Sequence, residues 1–157
     1  MEKNCAIGVF DSGFGGLTAV RELIKLLPGE DIIYFGDTGR LPYGSKSRET
    51  IKKYALQDSR FLLSMEVKYI IVACGTASAV AADTKEIMPV PMTGVVEPTA
   101  AAAAKATKNG KIGVIATAAT VASHAYLKSV NEISASVQVI EQACPLFVPM
   151  VEEGCVD

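Results

Sequence analysis

The sequence predicts an α/β protein built on a parallel sheet. Short apolar runs rich in β-branched residues alternate along the chain with segments whose apolar residues recur at helical spacing. Parallel strands need crossover connections, so this alternation favours a largely parallel sheet with right-handed crossovers. The composition agrees, because half of the 157 residues are hydrophobic and a fifth are charged, as expected for a globular protein with a sizeable core.

The chain opens with a strand at 6–10, a glycine-rich turn at 11–16 and an amphipathic helix that Pro28 ends. A second strand follows at 31–35. The polar segment 36–47 is too long for a simple connection, so we expect a functional loop there. A further apolar stripe predicts a helix between this loop and the third strand.

The third strand leads into the most informative stretch of the chain. Residues 69–73 form a short apolar run bounded by Gly75, which is typical of a buried parallel strand. We expect Thr76 or Ser78 to cap the helix that follows. Cys74 then lies at the carboxyl edge of the sheet, where open α/β folds bind ligands and where helix amides would favour its thiolate. The alternative is a buried structural cysteine.

The second half continues the alternation. Its predicted elements are a strand at 93–96, an alanine-rich helix after a break at Glu97-Pro98, a strand at 111–116, a turn at 117–120, a helix at 121–130 and a strand at 137–141. The proline-containing segment 89–98 is the predicted domain boundary, which divides the chain into domains at 1–96 and 97–157. The second of these is short for a domain.

Composition and spacing disfavour several function classes. The net charge of −2 and the scattered lysines and arginines provide no basic surface for nucleic acid. No apolar run reaches the length of a membrane span, and residues 1–4 do not lead into a signal-peptide core. The four cysteines lack the CxxC spacing of a metal or redox motif, and the sequence has a single histidine. These features predict a cytoplasmic protein with reduced thiols and with no metal, membrane or nucleic-acid partner.

Three turns at the carboxyl ends of predicted strands share small hydroxyl side chains and backbone amides. They are Asp11-Ser12, Cys74-Gly75-Thr76, and Thr117 with Thr120. Such turns can hold a carboxylate or an amino acid without a metal. The glycine spacing of 11–16 differs from GxGxxG, and an aspartate in that turn would repel a pyrophosphate, which argues against a nucleotide site.

Many of the candidate side chains have a structural alternative that the residues leave open. The alternatives are a turn or N-cap role for Asp11, a loop anchor at Tyr43, helix caps at Thr117 and Thr120, a solvated helical face at Glu152 and Glu153, and a structural role for His124.

Six short segments, taken in their order along the chain, together form a specific pattern. They are Ile7-Gly-Val-Phe-Asp-Ser-Gly-Phe-Gly-Gly-Leu17, Tyr34-Phe-Gly-Asp37, Leu41-Pro-Tyr-Gly44, Val72-Ala-Cys-Gly-Thr-Ala-Ser-Ala79, Gly113-Val-Ile-Ala-Thr117 with Thr120-Val121, and Ala143-Cys-Pro-Leu-Phe-Val-Pro149 with Glu152-Glu-Gly154. This pattern resembles the amino-terminal portion of bacterial glutamate racemases, in the aspartate/glutamate racemase family. Each segment alone is weak, but six in order over nearly the whole chain are specific.

The resemblance implies a parallel-sheet, two-domain racemase-like fold in which the second domain is incomplete. It also implies an isomerase that interconverts L- and D-glutamate without pyridoxal phosphate, metal or other cofactor, and that supplies D-glutamate for peptidoglycan biosynthesis. The implied mechanism uses two cysteines on opposite faces of the α-carbon. One base can only return a proton to the face from which it came, so inversion needs a second donor opposite.

Carried over by position, the resemblance implies that Cys74 is the first catalytic cysteine and that Asp11 assists it. The implied substrate contacts are Asp11, Ser12, Tyr43, Gly44, Gly75, Thr76, Thr117 and Thr120. Glu152 falls on a glutamate that the family places near the second cysteine.

Two departures from the family pattern bear on activity. Gly75 stands where the family has asparagine, and the loss of that amide would cost about 1–3 kcal/mol if it leaves a ligand group unpaired. The second cysteine of the family lies in a Gly-Cys-Thr-His segment beyond the last residue, so we expect this chain alone not to racemise glutamate. The alternatives are a non-catalytic protein that binds a dicarboxylate or a partner, and an aspartate racemase. Exposed strand edges and apolar faces predict a homodimer or a larger assembly.

Overall fold

The computed structural model describes residues 5–155 and places their strands in two parallel sheets. The predicted α/β architecture with parallel strands is thereby confirmed. The described strands are β1 (Ile7–Asp11), β2 (Ile32–Gly36), β3 (Tyr69–Val72), β4 (Met92–Gly94), β5 (Lys111–Ala116) and β6 (Gln138–Ala143). Residues 1–4, for which no signal-peptide pattern is expected, and residues 156–157 lie outside the described range.

Helices connect these strands. The α-helices are α1 (Leu17–Leu26), α2 (Arg48–Leu63), α3 (Gly75–Val80), α4 (Val96–Ala106), α5 (Ala118–Ser123), α6 (Ala125–Ile133) and α7 (Phe147–Glu152), and short 3-10 helices cover Tyr43–Ser45 and Ala82–Ile87. Within residues 5–155, no helix has the length and apolar character needed to cross a membrane.

The larger sheet has the strand order β2-β1-β3-β4. Because β1 lies between β2 and β3, Phe10 is opposite Phe35 on one side and Val72 on the other. A central parallel strand is covered on both faces, which explains why every residue of β1 is buried. Ile51 and Leu62 on α2 are buried in the same core as Phe10, so α2 covers one face of this sheet.

The smaller sheet consists of β5 and β6, which pair in parallel along their full length. Its buried core is small and centres on Ala100, Val130 and Val137. Alternate side chains of both strands are exposed, and they include the large apolar residues Ile115 and Ile140. One face of the smaller sheet is therefore much less covered than the larger sheet.

The two sheets are joined where α3 packs against α5 and where the 3-10 helix at Tyr43–Ser45 also contacts α5. Since α3 follows β3 and α5 follows β5, the carboxyl ends of these strands lie beside the junction. The division of the chain into domains at 1–96 and 97–157 stays a prediction, and its boundary falls in the first turn of α4.

The predicted cap of α3 is wrong. Neither Thr76 nor Ser78 begins the helix, because Cys74 itself is the N-cap and its Sγ accepts a hydrogen bond from the Ala77 N–H at 3.4 Å. The helix therefore starts at Gly75. A thiol is a weaker acceptor than the oxygens usually found at this position, so sequence preferences for N-caps do not point to it.

Two predicted helix boundaries in the second half are also wrong. The expected turn at 117–120 is the start of α5, and the expected helix at 121–130 is divided into α5 and α6 at His124. His124 has a left-handed backbone with φ of 54°, and its Nδ1 lies 2.7 Å from Glu141 Oε2, which gives this residue a structural role. The break expected at Pro98 is absent because Pro98 occupies the first turn of α4, where its missing N–H would have no helical partner.

Candidate active site

A cavity of about 550 Å³ lies at the carboxyl ends of the strands, between the two sheets. Much of its polar lining comes from the turns after β1, β3 and β5, which contribute Asp11, Ser12, Cys74, Gly75, Thr76, Thr117 and Thr120. Tertiary structure thus brings together the three turns that the sequence singles out. The volume is in the usual range for a small-molecule site.

Cys74 is one of the two cysteines that line this cavity. It follows β3, caps α3 and is only 4% exposed. Its thiol donates a hydrogen bond to Ser12 Oγ at 3.4 Å, which connects the turn after β3 with the turn after β1.

The surroundings of Cys74 favour the thiol over the thiolate. Burial raises the pKa of Cys74 above that of an ordinary cysteine, and the nearby Asp11 carboxylate raises it further. Hydrogen bonds from Ser12 and from the Ala77 N–H act in the opposite direction. The Ala77 amide thus favours the thiolate, as expected of a helix amide, but desolvation and the Asp11 charge outweigh its contribution.

Asp11 ends β1 and lines the cavity while also holding its own turn together. Its Oδ2 accepts a hydrogen bond from the Gly16 N–H at 2.8 Å. The turn leaves no room for a side chain at that glycine, since a Cβ on Gly16 would lie 2.7 Å from the Cβ of Asp11. The interpretation of Asp11 as a turn residue is confirmed. Asp11 also lines the cavity, which is compatible with the catalytic role that the resemblance implies.

Tyr34 lies behind the Asp11 turn and was not a candidate on sequence grounds. Its hydroxyl donates to the carbonyl of Gly13 at 2.8 Å. Burial, followed by the charges of Asp11 and Cys74, raises the pKa of Tyr34 to about 12. The sequence places Tyr34 in a predicted strand and in a family-matching segment, but neither observation indicates its contact with Gly13, which is 21 residues away.

Three threonine hydroxyls form a cluster across the junction of the two sheets. Thr117 Oγ1 lies 3.0 Å from Thr76 Oγ1 and 2.9 Å from Thr120 Oγ1. Thr117 also caps α5, because its Oγ1 accepts from the Thr120 N–H at 3.3 Å, which confirms the capping interpretation of Thr117. A cluster of hydroxyls on a concave surface can donate hydrogen bonds to a carboxylate.

Tyr43 and Gly44 do not line the cavity. Tyr43 is 1% exposed, and its hydroxyl contacts Asp37 and, at 2.7 Å, Asp58 Oδ2, so the loop-anchor interpretation is confirmed. Gly44 lies directly against Thr117, because a Cβ on this glycine would be 2.5 Å from the Cβ of Thr117. Substrate contacts at Tyr43 and Gly44 stay predictions.

Glu152 on α7 extends towards the turn after β1 rather than only into solvent. A Cβ on Gly13 would lie 2.5 Å from Glu152 Oε1. Partial burial raises the pKa of Glu152, and the charges of Asp11 and Glu153 raise it further. Glu152 therefore belongs to the lining of the cavity despite the exposure of α7.

Several lining residues were missed by sequence reasoning. They are Thr99, Tyr126, Cys144, Phe147 and Val148. Cys144 follows β6 and is half-buried, and its backbone N–H bonds to the Ala116 carbonyl at 2.7 Å. It lies in the family-matching segment 143–149, which indicates no site role for it, and only the pairing of β6 with β5 places it on the cavity. In the described part of the chain, no group of three or more His, Cys, Asp or Glu side chains is arranged for a metal ion.

Comparisons with known proteins agree with this geometry. Residues 8–153 match the sequence model of the family described as Asp/Glu/Hydantoin racemase. The chain is 51% identical over 153 residues to the glutamate racemase of Geobacter metallireducens, a match that covers 97% of this chain and 57% of that relative.

Solved structures show the same similarity. The glutamate racemase of Francisella tularensis in complex with D-glutamate has a TM-score of 0.91 and 47% identity, covering 98% of this chain and 58% of that one. The glutamate racemase of Aquifex pyrophilus has a TM-score of 0.87 and 46% identity, covering 97% and 60%. The chain thus spans a little over half the length of these relatives.

Proposed function

The chain belongs to the Asp/Glu/hydantoin racemase family, and we propose that it carries one half of a glutamate racemase site. The observation that supports this most directly is the Cys74 thiol, held on one cavity together with Asp11 and the threonine hydroxyls. The proposed reaction interconverts L- and D-glutamate in the cytoplasm, without a cofactor, for peptidoglycan biosynthesis. Its chemistry follows from the arrangement of the lining side chains.

We assign the α-carboxylate of glutamate to the hydroxyls of Thr76, Thr117 and Thr120. These groups can turn their hydrogens towards an anion, and they are already grouped within 3.5 Å of one another. Ser12 and the backbone at Gly75 complete the proposed contacts on the side of Cys74. The similar racemase from Francisella tularensis was solved with D-glutamate bound.

In the proposed mechanism the Cys74 thiolate removes the α-proton. The carbon–hydrogen bond breaks, the proton passes to sulfur, and the electron pair moves towards the carboxylate, where the hydroxyl donors stabilise the developing charge. The raised pKa of Cys74 has two opposite consequences. Less thiolate is present at neutral pH, but the thiolate is a stronger base for a weakly acidic proton. Asp11 is close enough to act on the charge of this sulfur and is the proposed assisting group.

Inversion requires a second donor on the opposite face of the α-carbon. The proposed two-base mechanism assigns this role to a second thiol, with Glu152 near it. Cys144 lines the same cavity as Cys74 and is therefore a necessary control in any test of the mechanism.

The test follows α-deuterium incorporation into L- and D-glutamate by proton NMR in deuterated water, with inversion followed by circular dichroism. The proteins are the unchanged chain, Cys74→Ala and Cys144→Ala. Exchange in one enantiomer without inversion, abolished in Cys74→Ala, is the expected result. Inversion that is lost in Cys144→Ala would identify Cys144 as the second thiol. Exchange that survives in Cys74→Ala would contradict the assignment of the base.

A second candidate function is ligand binding without catalysis. The buried, thiol-favouring environment of Cys74 and the glycine at position 75 support it. This function predicts that glutamate perturbs the NMR signals of Thr117 and Ser12 while no deuterium enters either enantiomer. Aspartate in the same assay tests the alternative substrate, and faster exchange of aspartate than of glutamate would favour an aspartate racemase.

We also propose that the chain forms a homodimer or a larger assembly. Large apolar side chains are exposed on several elements, and they include Leu26 on α1, Ile115 on β5 and Phe147 on α7. Apolar surface of this kind favours association. Analytical ultracentrifugation combined with calorimetry tests the proposal, and a monomer with a cooperative melt would contradict it.

A further inference from the structure

We infer that a buried anchor outside the cavity, formed by Asp37, Arg40, Tyr43 and Asp58, positions the threonine hydroxyls that face the substrate. None of the four residues lines the cavity, so each would be a positioning residue rather than a catalytic one. The inference deepens the proposed function, on which it rests for the identity of the substrate.

The anchor is a closed network of hydrogen bonds. Arg40 Nε lies 2.6 Å from Asp37 Oδ2, and Arg40 Nη2 lies 2.6 Å from Asp58 Oδ1. The Tyr43 hydroxyl closes the network, since it contacts Asp37 and lies 2.7 Å from Asp58 Oδ2. Asp58 is only 1% exposed, so bulk water does not solvate its carboxylate. The carboxylate is instead stabilised by its hydrogen bonds to Arg40 and Tyr43.

Helix α2 holds the anchor rigid from one side. The guanidinium of Arg40 lies over the ring of Tyr54 at 4.2 Å, and Arg40 Nη1 bonds to Gln57 Oε1 at 2.5 Å. The ring of Tyr43 also packs on Tyr54, with centroids 5.4 Å apart. The loop between β2 and α2 is thus attached to α2 by the side chains of Arg40 and Tyr43.

The anchor reaches the site through the backbone at Gly44. Gly44 follows Tyr43 directly, and a Cβ on Gly44 would lie 2.5 Å from the Cβ and Cγ2 of Thr117. Because there is no room even for a methyl group between Gly44 and Thr117, the loop backbone limits the rotamers of Thr117. Thr117 is in turn the central member of the hydroxyl cluster, bonded to Thr76 at 3.0 Å and to Thr120 at 2.9 Å. A displacement of the loop would therefore displace the hydroxyls.

The arrangement of charges supports a role in restraining the loop rather than in adding stability. Two carboxylates share one guanidinium and one hydroxyl, and that hydroxyl has a single hydrogen to donate. Buried ionic groups of this kind add little net stability compared with apolar packing, but their interactions are favourable only in a narrow range of geometries. A purely apolar loop would leave the position of Gly44 less strictly defined.

The primary test uses NMR without any ligand. The rotamer of Thr117 is measured from its three-bond couplings in the unchanged chain, in Tyr43→Phe and in Asp58→Asn. Tyr43→Phe keeps the ring that packs on Tyr54 and removes only the hydroxyl, and Asp58→Asn keeps the side-chain shape. Lys52→Gln is the matched control, because Lys52 lies on the same helix and pairs with Asp83 away from the anchor.

The expected result is that Thr117 becomes averaged over more than one rotamer in both anchor variants and stays unchanged in Lys52→Gln. An unchanged Thr117 in Tyr43→Phe and Asp58→Asn, both folded, would overturn the inference whether or not the chain binds glutamate. Failure of the unchanged chain to bind or exchange glutamate would instead contradict the proposed function, and the rotamer readout would still decide the role of the anchor.

A double-mutant cycle with D-glutamate affinity provides the second test. Tyr43→Phe should weaken binding roughly three- to tenfold, as for the loss of one well-placed hydrogen bond. If the anchor acts through Thr117, then adding Tyr43→Phe to Thr117→Val should cause no further loss of affinity. Additive losses would show that Tyr43 acts independently of Thr117 and would overturn the proposed route.

Discussion

Thr76 lies in the first turn of α3, after the larger sheet, and Thr117 caps α5, after the smaller sheet, yet their Oγ atoms lie 3.0 Å apart. They are 41 residues apart in the sequence, and neither hydroxyl would reach the other without the packing of α3 on α5. The candidate site is therefore shared between the two sheets. Ligand binding at the site should therefore respond to substitutions beside either sheet.

Thr117→Val should reduce both stability and ligand binding. The valine keeps the shape of the side chain but removes the N-cap acceptor of α5, which costs about 1 kcal/mol in the free energy of unfolding. It also removes the central hydroxyl of the cluster, so D-glutamate binding should weaken by at least about tenfold. Urea unfolding and NMR titration measure the two effects.

The matched control for that prediction is Ser47→Ala. Ser47 caps α2 by accepting a hydrogen bond from the Thr50 N–H at 3.2 Å, and it lies away from the cavity. It should show a similar loss of stability with unchanged affinity. Equal affinities for the unchanged chain and for Thr117→Val would contradict the assigned contact.

Cys74 should react slowly with iodoacetamide at neutral pH, and its rate should rise as the pH increases beyond the range of an ordinary thiol. The reason is that burial and the Asp11 charge raise its pKa, and only the thiolate reacts. Asp11→Asn removes the negative charge and keeps an acceptor for the Gly16 N–H, so it should shift the rate profile to lower pH. Peptide mapping by mass spectrometry, with the exposed Cys155 as an internal reference, resolves the individual thiols. An identical profile in both proteins would show that Asp11 does not act on this sulfur.

Asp58 should make the unfolding free energy fall as pH rises from about 4 to about 6. Burial is the main cause that raises the pKa of Asp58 from 3.8 to about 6 in the folded state. The native state then binds more protons than the unfolded state between these values, so stability is lost as pH rises through this window and stays at the lower level above it. The slope is at most about 1.4 kcal/mol per pH unit.

Asp58→Asn provides the reference that isolates this effect from the other carboxylates. The difference in unfolding free energy between the unchanged chain and the variant should change by on the order of 2 kcal/mol between about pH 4 and pH 7. Urea unfolding at several pH values measures it. Parallel curves for the two proteins would show that Asp58 titrates normally in the folded chain.

Gly75 and Gly16 should respond in opposite ways to an added side chain. A Cβ on Gly75 would meet no atom within 4 Å, whereas a Cβ on Gly16 would lie 2.7 Å from Asp11 Cβ and 3.0 Å from Ala73 Cβ. Gly16→Ala should therefore lower the free energy of unfolding by about 1–3 kcal/mol. Gly75→Ala should leave it unchanged or raise it by up to about 1 kcal/mol, because alanine is the better helix former.

Gly75→Asn extends this comparison to function. A Cβ on Gly75 would meet no atom within 4 Å, so we expect the position to accept asparagine, the residue that the resemblance to glutamate racemases implies there. Affinity for D-glutamate should increase by about tenfold, the effect of one hydrogen bond to a charged group. Gly75→Ala is the matched control for backbone rigidity. An equal gain in both variants would assign the effect to the backbone and not to the amide.

Most of the fold could be predicted because its signals are local. The strand at Ile7–Asp11 and the strand at Tyr69–Val72 were predicted to within a residue, since apolar β-branched runs bounded by glycine define both. The helix boundaries at Cys74 and His124 could not be predicted. A cysteine N-cap and a histidine with a left-handed backbone are uncommon, so local sequence preferences do not indicate them. Cys74 and His124 also contact Ser12 and Glu141, which are distant in the sequence.

The candidate site was predictable in part for the same reason. Asp11, Cys74 and Thr117 each follow a strand directly, so their place at the carboxyl edge of a sheet follows from the pattern alone. The choice for Tyr43 between loop anchor and ligand contact was not decidable, because Asp58 lies 15 residues away on a helix whose facing side the sequence does not specify.

The sequence by itself determined the alternation of strands and helices, the family pattern and the turns that could carry the chemistry. Tertiary structure alone decided that Thr76 meets Thr117, that Cys144 shares a cavity with Cys74, and that burial shifts Cys74 towards the thiol. The physical reason is that backbone conformation responds to neighbours along the chain. Desolvation and hydrogen bonding between distant segments depend on which surfaces pack together in space.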